Sequence, residues 1–375
     1  MRLIHGIKKN MKKVLILFRS SHPLLSGADN MAIYTAKNLA RFSEFEITLV
    51  QKSDVYSEKY VYDDQMVKRI FIPTNSFSKD YLSLFNELQP NIVHLIDLVD
   101  EEFCDMALAL AEDFPLILTP ATDISMWGNE KKAIDLCYLA QKIITLTSHE
   151  EDLIVEKLGG DYSKRITRVP QAPILSDSKG FNFRDRYNIK EEDPIILFLG
   201  RKLKSKGYHI LLESSKLVKS KYPNSKFVFI GPHQLDSRDI FADYINDEAI
   251  IDLEQVSEVE KLSALRACNL LCLPSTVDVF PLTFLEAWAC KKPIISASFP
   301  GVDQIIQHRL NGLITEATVC GISENIEFLL GHEKTARKYG ENGYEKVINH
   351  YSWEKVADNM ASIYKEVIKK EGTIL

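Results

Sequence analysis

The sequence predicts an α/β protein made of two Rossmann-like, doubly wound domains, and three observations support this prediction. The chain has 375 residues, which is more than a single hydrophobic core usually organises. Short apolar runs alternate with segments of helical periodicity, which is typical of a parallel sheet covered by helices. The alternation stops over residues 170–190, where prolines and Gly180 occur without a clear period, and then starts again. Such a stretch is typical of a linker between domains.

The first half contains continuous apolar runs, which predict strands that are buried on both faces. These runs are Val14–Phe18, Glu46–Val50, Ile92–Ile96, Leu116–Thr119 and Lys142–Leu146. Between them, residues 30–42 have the periodicity of a helix. Ser148 and Glu151 have the spacing of a capping box, which predicts the start of another helix.

The same pattern in the second half predicts a second sheet. Its strands are expected at Ile195–Leu199, Lys226–Ile230, Leu270–Leu273 and Pro293–Ser296. The stretch Ser352–Lys370 has helical periodicity and carries more apolar residues than a solvated tail needs. We therefore expect this terminal helix to pack back toward the first domain.

These patterns divide the chain into three parts. We predict an N-terminal domain over residues 1–175, a C-terminal domain over residues 176–350 and a terminal helix over residues 351–375. Two facing domains of this kind leave a cleft at the carboxyl ends of both sheets, where ligands of such folds bind.

Composition excludes several classes of protein. The net charge of -6 argues against nucleic acid as the main partner, because phosphate binding needs a basic surface. The six cysteines form no CxxC pair, which favours free thiols in a reduced, cytoplasmic compartment. No apolar run approaches the ~20 residues of a membrane span. No GxGxxG follows a predicted strand, which counts against a dinucleotide cofactor.

The first ten residues precede a second methionine. Met11-Lys-Lys-Val-Leu-Ile-Leu reads like a natural start, so we interpret residues 1–10 as an extension. Its lysines leave open a peripheral contact with the anionic cytoplasmic face of a membrane.

A basic, glycine-bounded segment follows the first strand of the second domain. It reads Gly200-Arg-Lys-Leu-Lys-Ser-Lys-Gly207. Arg201 and Lys206 supply the positive charge that a diphosphate at the carboxyl edge of the sheet requires. A basic surface turn is the alternative, since Lys202 and Lys204 lie in the same segment. Ser26-Gly27 opens the first helix of the first domain, where a glycine lets backbone amides approach a phosphate.

The segment Asp278-Val-Phe-Pro-Leu-Thr-Phe-Leu-Glu286 places two carboxylates across a loop and a helix start. Carboxylates accept hydrogen bonds from vicinal hydroxyls, so the pair suits a polyhydroxylated ligand. Pro281 is compatible with a first helical turn, so the helix is expected to begin near Phe280 or Pro281. Its amino terminus offers N–H groups and a positive dipole end to an anion.

These motifs together resemble the retaining glycosyltransferases of family 4, which have the GT-B fold of two facing Rossmann-like domains. The resemblance covers nearly the whole chain from Met11 on and is strongest over residues 273–313. There, Pro274-Ser275, Asp278-x-Phe280, Leu285-Glu286 and Asn311-Gly312 are similar to the EX7E region of that family and the strand and loop after it.

The resemblance implies roles for individual residues at a nucleotide-sugar site. Arg201 and Lys206 would hold the donor diphosphate, and the backbone amides of Leu282 and Thr283 would also face its phosphates. Phe280, just before this helix start, would belong to the donor-binding residues as well. Glu286 would accept hydrogen bonds from the ribose, and Asp278 would contact hydroxyls of the donor sugar. Gly27 would let the first-domain loop close over the diphosphate. The family needs no metal and no cofactor, and its front-face mechanism lets the leaving phosphate help to deprotonate the acceptor.

The sequence departs from the family at three positions. Asp278 stands where the family has its first glutamate, and Pro281 where it has glycine, so one N–H donor is lost. The usual first-domain histidine falls on Ala121 or Thr122 in Thr119-Pro-Ala-Thr-Asp123. Asp123 either takes over a polar role near the sugar, as a candidate catalytic residue, or caps the next helix, and capping is slightly favoured.

The resulting expectation is an enzyme that moves a hexose-type sugar from a UDP- or GDP-linked donor to a glycan, lipid or small-molecule acceptor. The departures leave open a GT-B scaffold that has lost catalysis and acts as a binding or partner subunit. An epimerase or phosphorylase on the same fold is a third reading.

Overall fold

The computed structural model describes residues 11–22, 26–63, 67–76, 84, 87–175, 181–234 and 236–371. The chain divides into two compact units, one of Met1–Gln171 with Trp353–Leu375 and one of Ala172–Ser352. Residues 1–10, the predicted extension whose lysines left a membrane contact open, lie outside the described residues, and so do residues 176–180 of the predicted linker.

The described part of the first unit forms one sheet of eight strands, in the order β3-β4-β2-β1-β5-β6-β7-β8. All neighbours are parallel except the pair β3 and β4 at one edge. The strands are β1 Lys12–His22, β2 Phe45–Ser53, β3 Tyr60–Asp63, β4 Val67–Pro73, β5 Ile92–Ile96, β6 Leu116–Thr119, β7 Lys142–Thr145 and β8 Ile166–Arg168.

Helices cover this sheet and bury its apolar residues. They are α1 Gly27–Leu39, α2 Glu101–Leu110, α3 Glu130–Leu139 and α4 Ser148–Leu158. The capping box predicted for Ser148 and Glu151 is wrong by one residue. Thr147 is the N-cap, its hydroxyl accepts from Glu150 N, and the Glu150 carboxylate accepts from Leu146 N at 2.6 Å.

The described part of the second unit forms a fully parallel sheet of six strands, in the order β11-β10-β9-β12-β13-β14. Its strands are β9 Ile195–Leu199, β10 Lys226–Ile230, β11 Ile250–Leu253, β12 Leu270–Leu273, β13 Ile294–Ala297 and β14 Gly312–Thr315. The chain reverses its direction of winding between β9 and β12. In open α/β sheets, ligands bind outside the carboxyl ends of the strands at such a switch point.

The helices of the second unit are α5 Phe183–Arg186, α6 Tyr208–Lys221, α7 Ser237–Ala242, α8 Glu258–Ala267, α9 Leu282–Ala289, α10 Val302–Ile305, α11 Val319–Gly331 and α12 Glu333–His350. The predicted double winding of both sheets is therefore confirmed. Strands β3, β4, β8, β11 and β14 were not predicted from the sequence.

The last helix, α13 Trp353–Glu371, packs on the first unit. The ring of Trp353 lies 5.3 Å from that of Tyr34 on α1. The Tyr364 hydroxyl lies 2.8 Å from Nδ1 of His94, whose Nε2 lies 2.7 Å from the Thr119 hydroxyl. Burial lowers the pKa of His94 to about 3, so this imidazole is neutral at ordinary pH. Within the described residues, no helix combines the length and apolarity that crossing a bilayer requires.

Candidate active site

The turn between β9 and α6 carries the predicted phosphate-binding residues at the switch point of the second sheet. A single 3-10 turn spans Lys204–Lys206, and Gly207 follows it with φ +75°. A Cβ atom on Gly207 would lie 2.1 Å from the backbone oxygen of Pro274. Both the left-handed conformation and this close approach therefore require glycine here.

The loop after β12 is fastened to the same turn. The Ser275 hydroxyl bonds to the carbonyl oxygens of Ser205 and Val277, at 3.2 and 3.0 Å. Thr276 N donates to Ser205 O at 2.8 Å. The Pro274-Ser275 segment thus fixes the position of the basic turn relative to the start of α9.

Asp278 and Lys206 form an ion pair. Lys206 Nζ lies 2.5 Å from Asp278 Oδ2, and both side chains are largely buried. The second oxygen, Oδ1, accepts from Val279 N at 3.0 Å. The structure therefore brings together the residues predicted for the donor sugar and for the phosphates, and a bound diphosphate would compete with Asp278 for the ammonium group.

Helix α9 begins at Leu282, one or two residues later than expected, and Pro281 is its N-cap. The amides of Leu282 and Thr283 are therefore among the first N–H groups of the helix, which intrahelical bonds do not use. The Thr283 hydroxyl is buried and has no hydrogen-bond partner within the described residues. Phe280 is buried and packs edge-on against Tyr351, with ring centroids 5.8 Å apart.

Glu286 lies on the second turn of α9 and is 3% exposed. Its Oε1 pairs with Lys261 Nζ on α8 at 2.9 Å, and Lys261 also pairs with Glu258 at 2.7 Å. Burial raises the pKa of Glu286, and the positive charge of Lys261 opposes that shift. The result is an acidic side chain in a largely dry environment, held at a fixed orientation by a cation that is only partly exposed.

Lys202 and Lys204, considered together as a basic surface turn, occupy different environments. Lys204 is exposed and pairs with Asp236 at 2.7 Å. The Lys202 side chain is completely buried and pairs with Asp252 at 2.7 Å. Arg201 is half-buried. The interpretation of this segment as a simple surface turn is therefore wrong at Lys202.

In the first unit, Gly27 is the first residue of α1, and Ser26 is its N-cap. The Asp29 carboxylate accepts from Ser26 N at 2.5 Å, as in a capping box. Among the described residues, a Cβ atom on Gly27 would meet nothing within 4 Å. Packing against this part of the chain therefore does not require this glycine, in contrast to Gly207.

Asp123 caps a 3-10 turn over Ile124–Met126. Its Oδ1 accepts from Ser125 N at 2.9 Å and from the Ser125 hydroxyl at 2.5 Å. The loop before it is strained, because Ala121 has φ +60° and Asp97, after the neighbouring strand, has φ +78°. Left-handed conformations of non-glycine residues concentrate at functional sites.

Two residues that the structure brings to these sites were not identified from the sequence. Lys261 lies on an ordinary helix, 25 positions before its partner Glu286. Asp97 directly follows β5 and is buried, with Arg19 at 3.6 Å and Val99 N at 2.9 Å. Neither belongs to a local motif, so only the tertiary structure reveals them.

Solved structures have the same architecture. Sucrose-phosphate synthase from Thermosynechococcus elongatus superposes with a TM-score of 0.77 at 17% identity, covering 95% of this chain and 99% of that one. The protein therefore has the GT-B fold of glycosyltransferases. Residues 181–346, most of the second unit, match the family described as "Glycosyl transferases group 1".

Curated relatives carry similar sequences. The capsular polysaccharide biosynthesis glycosyltransferase CapM of Staphylococcus aureus is 24% identical over 49% of each chain. The chain spans about half the length of the first curated relatives it matches. UDP-Gal:alpha-D-GlcNAc-diphosphoundecaprenol alpha-1,3-galactosyltransferase of Escherichia coli is 21% identical over 96% of this chain and 99% of its own.

Proposed function

We propose that the protein is a glycosyltransferase that takes a hexose-type sugar from a UDP- or GDP-linked donor. The acceptor is a glycan, a lipid or a small molecule, and the anomeric configuration is retained. One observation carries the proposal: a basic turn, a helix amino terminus and the buried Glu286 are grouped around the switch point between β9 and β12.

The diphosphate of the donor interacts with Arg201, Lys206 and the first amides of α9. These groups stabilise the charge that develops as the sugar–phosphate bond breaks, because they are oriented before the reaction and partly shielded from water. They stabilise the negative charge of the diphosphate, as a divalent ion would, so the proposed reaction needs no metal and no cofactor. The acceptor oxygen attacks the face that the phosphate leaves, and a phosphate oxygen takes its proton.

The two carboxylates have separate tasks in this proposal. Glu286 is ion-paired to Lys261 at one oxygen, and a carboxylate has further lone pairs for the hydroxyls of the ribose. Asp278 contacts the transferred sugar once the donor diphosphate has drawn Lys206 away. Asp123 is the ionisable candidate in the first unit, next to the strained Ala121.

The relatives support the class of donor and acceptor. The name of the Escherichia coli relative specifies a UDP-linked sugar and a diphosphate-linked acceptor, and that of CapM specifies polysaccharide biosynthesis. We infer a similar role for this protein in glycan biosynthesis in the cytoplasm, with peripheral contact at the membrane when the acceptor is a lipid.

The observations favour this reading over an inactive scaffold. A scaffold has no need for a buried carboxylate with a dedicated cationic partner, because burying an ion pair often contributes nothing to stability. The Glu286–Lys261 and Asp278–Lys206 pairs are both found around the switch point.

A screen of nucleotide sugars for hydrolysis and transfer tests the proposal. Glu286→Ala and Arg201→Ala should each abolish turnover of the donor that the wild type uses, while circular dichroism and the unfolding temperature show a folded chain. Lys216→Ala, which changes an exposed ion pair on α6, serves as the control and should leave turnover unchanged. Full turnover in either site variant would contradict the assigned roles.

A further inference from the structure

Lys202 is a buried lysine with three acceptors. Its Nζ donates to Gly231 O at 2.7 Å and Leu253 O at 2.9 Å, and it pairs with Asp252 Oδ1 at 2.7 Å. An ammonium group has three protons, so these contacts satisfy it completely. They join the carboxyl ends of β9, β10 and β11.

The network continues from Asp252 through a histidine. Asp252 Oδ2 lies 2.9 Å from His233 Nε2, and His233 Nδ1 lies 2.9 Å from the Ser237 hydroxyl. A serine, a histidine and a carboxylate in this order resemble a hydrolase triad. Ser237 is completely buried, however, and its oxygen also accepts from Gln234 N at 3.0 Å. Ser237 therefore does not act as a nucleophile, and the chain of hydrogen bonds serves to orient the groups that it joins.

The position of this network suggests what it orients. Lys202 is adjacent to Arg201 on the turn proposed for the diphosphate, and α8, which carries Lys261, follows β11. A nucleotide with its diphosphate at that turn and its ribose at Glu286 extends its base along the ends of β10 and β11. The Lys202 network thus lies where the base would be recognised.

The carboxylates of this edge are already paired. Asp252 uses one oxygen for Lys202 and the other for His233, and Glu254 pairs with Arg238 at 2.5 Å. Guanine presents N–H donors that a carboxylate accepts well, whereas uracil presents an acceptor–donor–acceptor edge that a backbone N–H and C=O can match. An edge whose carboxylates are paired within the chain leaves few acceptors for the N–H donors of guanine.

We propose that Lys202 is a positioning residue for the nucleobase, and that by holding the Asp252 carboxylate it makes this edge selective for uracil over guanine. The inference rests on the proposed function and narrows its donor class to UDP-linked sugars. It also explains why a charged residue is buried at a position where burying an apolar side chain would cost less free energy of desolvation.

Calorimetric titration of the full chain with UDP and GDP tests the inference. We expect the wild type to bind UDP at least tenfold more tightly than GDP. Lys202→Met should weaken UDP binding at least tenfold and reduce the ratio of the two affinities. The matched control Lys204→Met, two residues away on the exposed side of the turn, should bind UDP within twofold of the wild type.

His233→Ala keeps Lys202 in place and releases one oxygen of Asp252, so it serves if Lys202→Met does not fold. It should reduce the preference for UDP over GDP at least threefold. Three outcomes would overturn the inference and leave the proposed function standing. They are an unchanged preference for UDP over GDP in His233→Ala, a loss of UDP affinity in Lys204→Met equal to that in Lys202→Met, and a wild type that prefers GDP. A wild type that binds neither nucleotide would overturn the proposed function as well.

Discussion

The carboxyl edges of the two sheets are built in different ways. In the second unit, charged side chains of the edge are held by partners of opposite charge, as in the Glu286–Lys261 and Asp278–Lys206 pairs. In the first unit, the edge also has ion pairs, Arg19–Asp97 and Lys52–Asp100, but it is marked in addition by backbone strain at Asp97 and Ala121, and Asp123 binds its own loop. Electrostatic preorganisation suits the proposed donor site, because the diphosphate is constant, whereas loops with a strained backbone suit a proposed acceptor site that varies.

The largest loss of stability is expected from removing the cation beside Glu286. Lys261→Met leaves a buried carboxylate without its ion pair, which typically costs about 3–5 kcal/mol. Chemical denaturation should detect this loss, and donor turnover should fall by about a hundredfold, equivalent to about 2.7 kcal/mol. Lys261→Arg should recover part of both quantities. Wild-type turnover in Lys261→Met would show that donor turnover does not depend on the paired charges at the carboxyl edge of the second sheet.

A pair of glycine substitutions compares the two edges directly. Gly207→Ala forces a Cβ atom against Pro274 O at a positive φ, and strained conformations of this kind cost about 1–3 kcal/mol before the clash is counted. The Cβ atom of Gly27→Ala meets none of the residues that the structure describes, so the unfolding free energy of this variant should change by less than about 0.5 kcal/mol. Equal destabilisation of the two variants would contradict this difference. A raised KM for the donor in a stable Gly27→Ala would support approach of the diphosphate at that loop.

The pH dependence of stability should reveal the buried imidazole of the first unit. Above pH 6.5, His94 is neutral in the folded and unfolded states and makes no pH-dependent contribution. Below it, the unfolded chain takes up a proton that the folded chain refuses down to a pKa of about 3. Stability should therefore fall by about 1.4 kcal/mol per pH unit between pH 6.5 and 3.

His94→Gln is the variant that isolates this effect. It removes the titrating group, so the loss of unfolding free energy between pH 7 and pH 5 should be smaller than in the wild type. An identical pH dependence in the two proteins would place the acid-sensitive group elsewhere.

The smallest effect is expected from releasing Lys206. Asp278→Asn removes the negative charge that competes with a diphosphate, so nucleoside diphosphate should bind several-fold more tightly. Turnover of the nucleotide sugar should fall about tenfold, or about 1.4 kcal/mol, because the sugar loses a charged acceptor. Titration and steady-state kinetics measure the two changes separately. Weaker diphosphate binding would show that Asp278 helps the lysine and does not compete with it.

The sequence predicted the elements whose signal is local. Buried parallel strands such as Ile195–Leu199 are continuous apolar runs, and the structure has that strand at the predicted residues. The edge strand Tyr60–Asp63 was missed because all four of its residues are exposed, which removes the hydrophobic pattern. The cap at Thr147 was misplaced by one residue because Thr147-Ser148 offers two adjacent hydroxyls and Glu150-Glu151 two adjacent carboxylates.

Residues of the candidate site were predictable only where they lie together in a short segment of the sequence. Arg201, Lys206, Asp278 and Glu286 could be proposed because two short segments carry them. Lys261 and Asp252 act through side chains that approach the site from other elements of the fold. The burial of Lys202 was not visible either, because a run of lysines is typical of a solvated turn, and only the acceptors from β10 and β11 make burial tolerable.

The most direct test of the account is a calorimetric titration of Glu286→Ala and Glu258→Ala with the nucleoside diphosphate that the wild type binds. Both glutamates pair with Lys261, but Glu286 is buried at the site and Glu258 is half exposed. The account predicts one saturable site in the wild type, retained in Glu258→Ala and lost in a folded Glu286→Ala. Equal affinity in all three proteins, or a wild type that binds no nucleoside diphosphate, would contradict it.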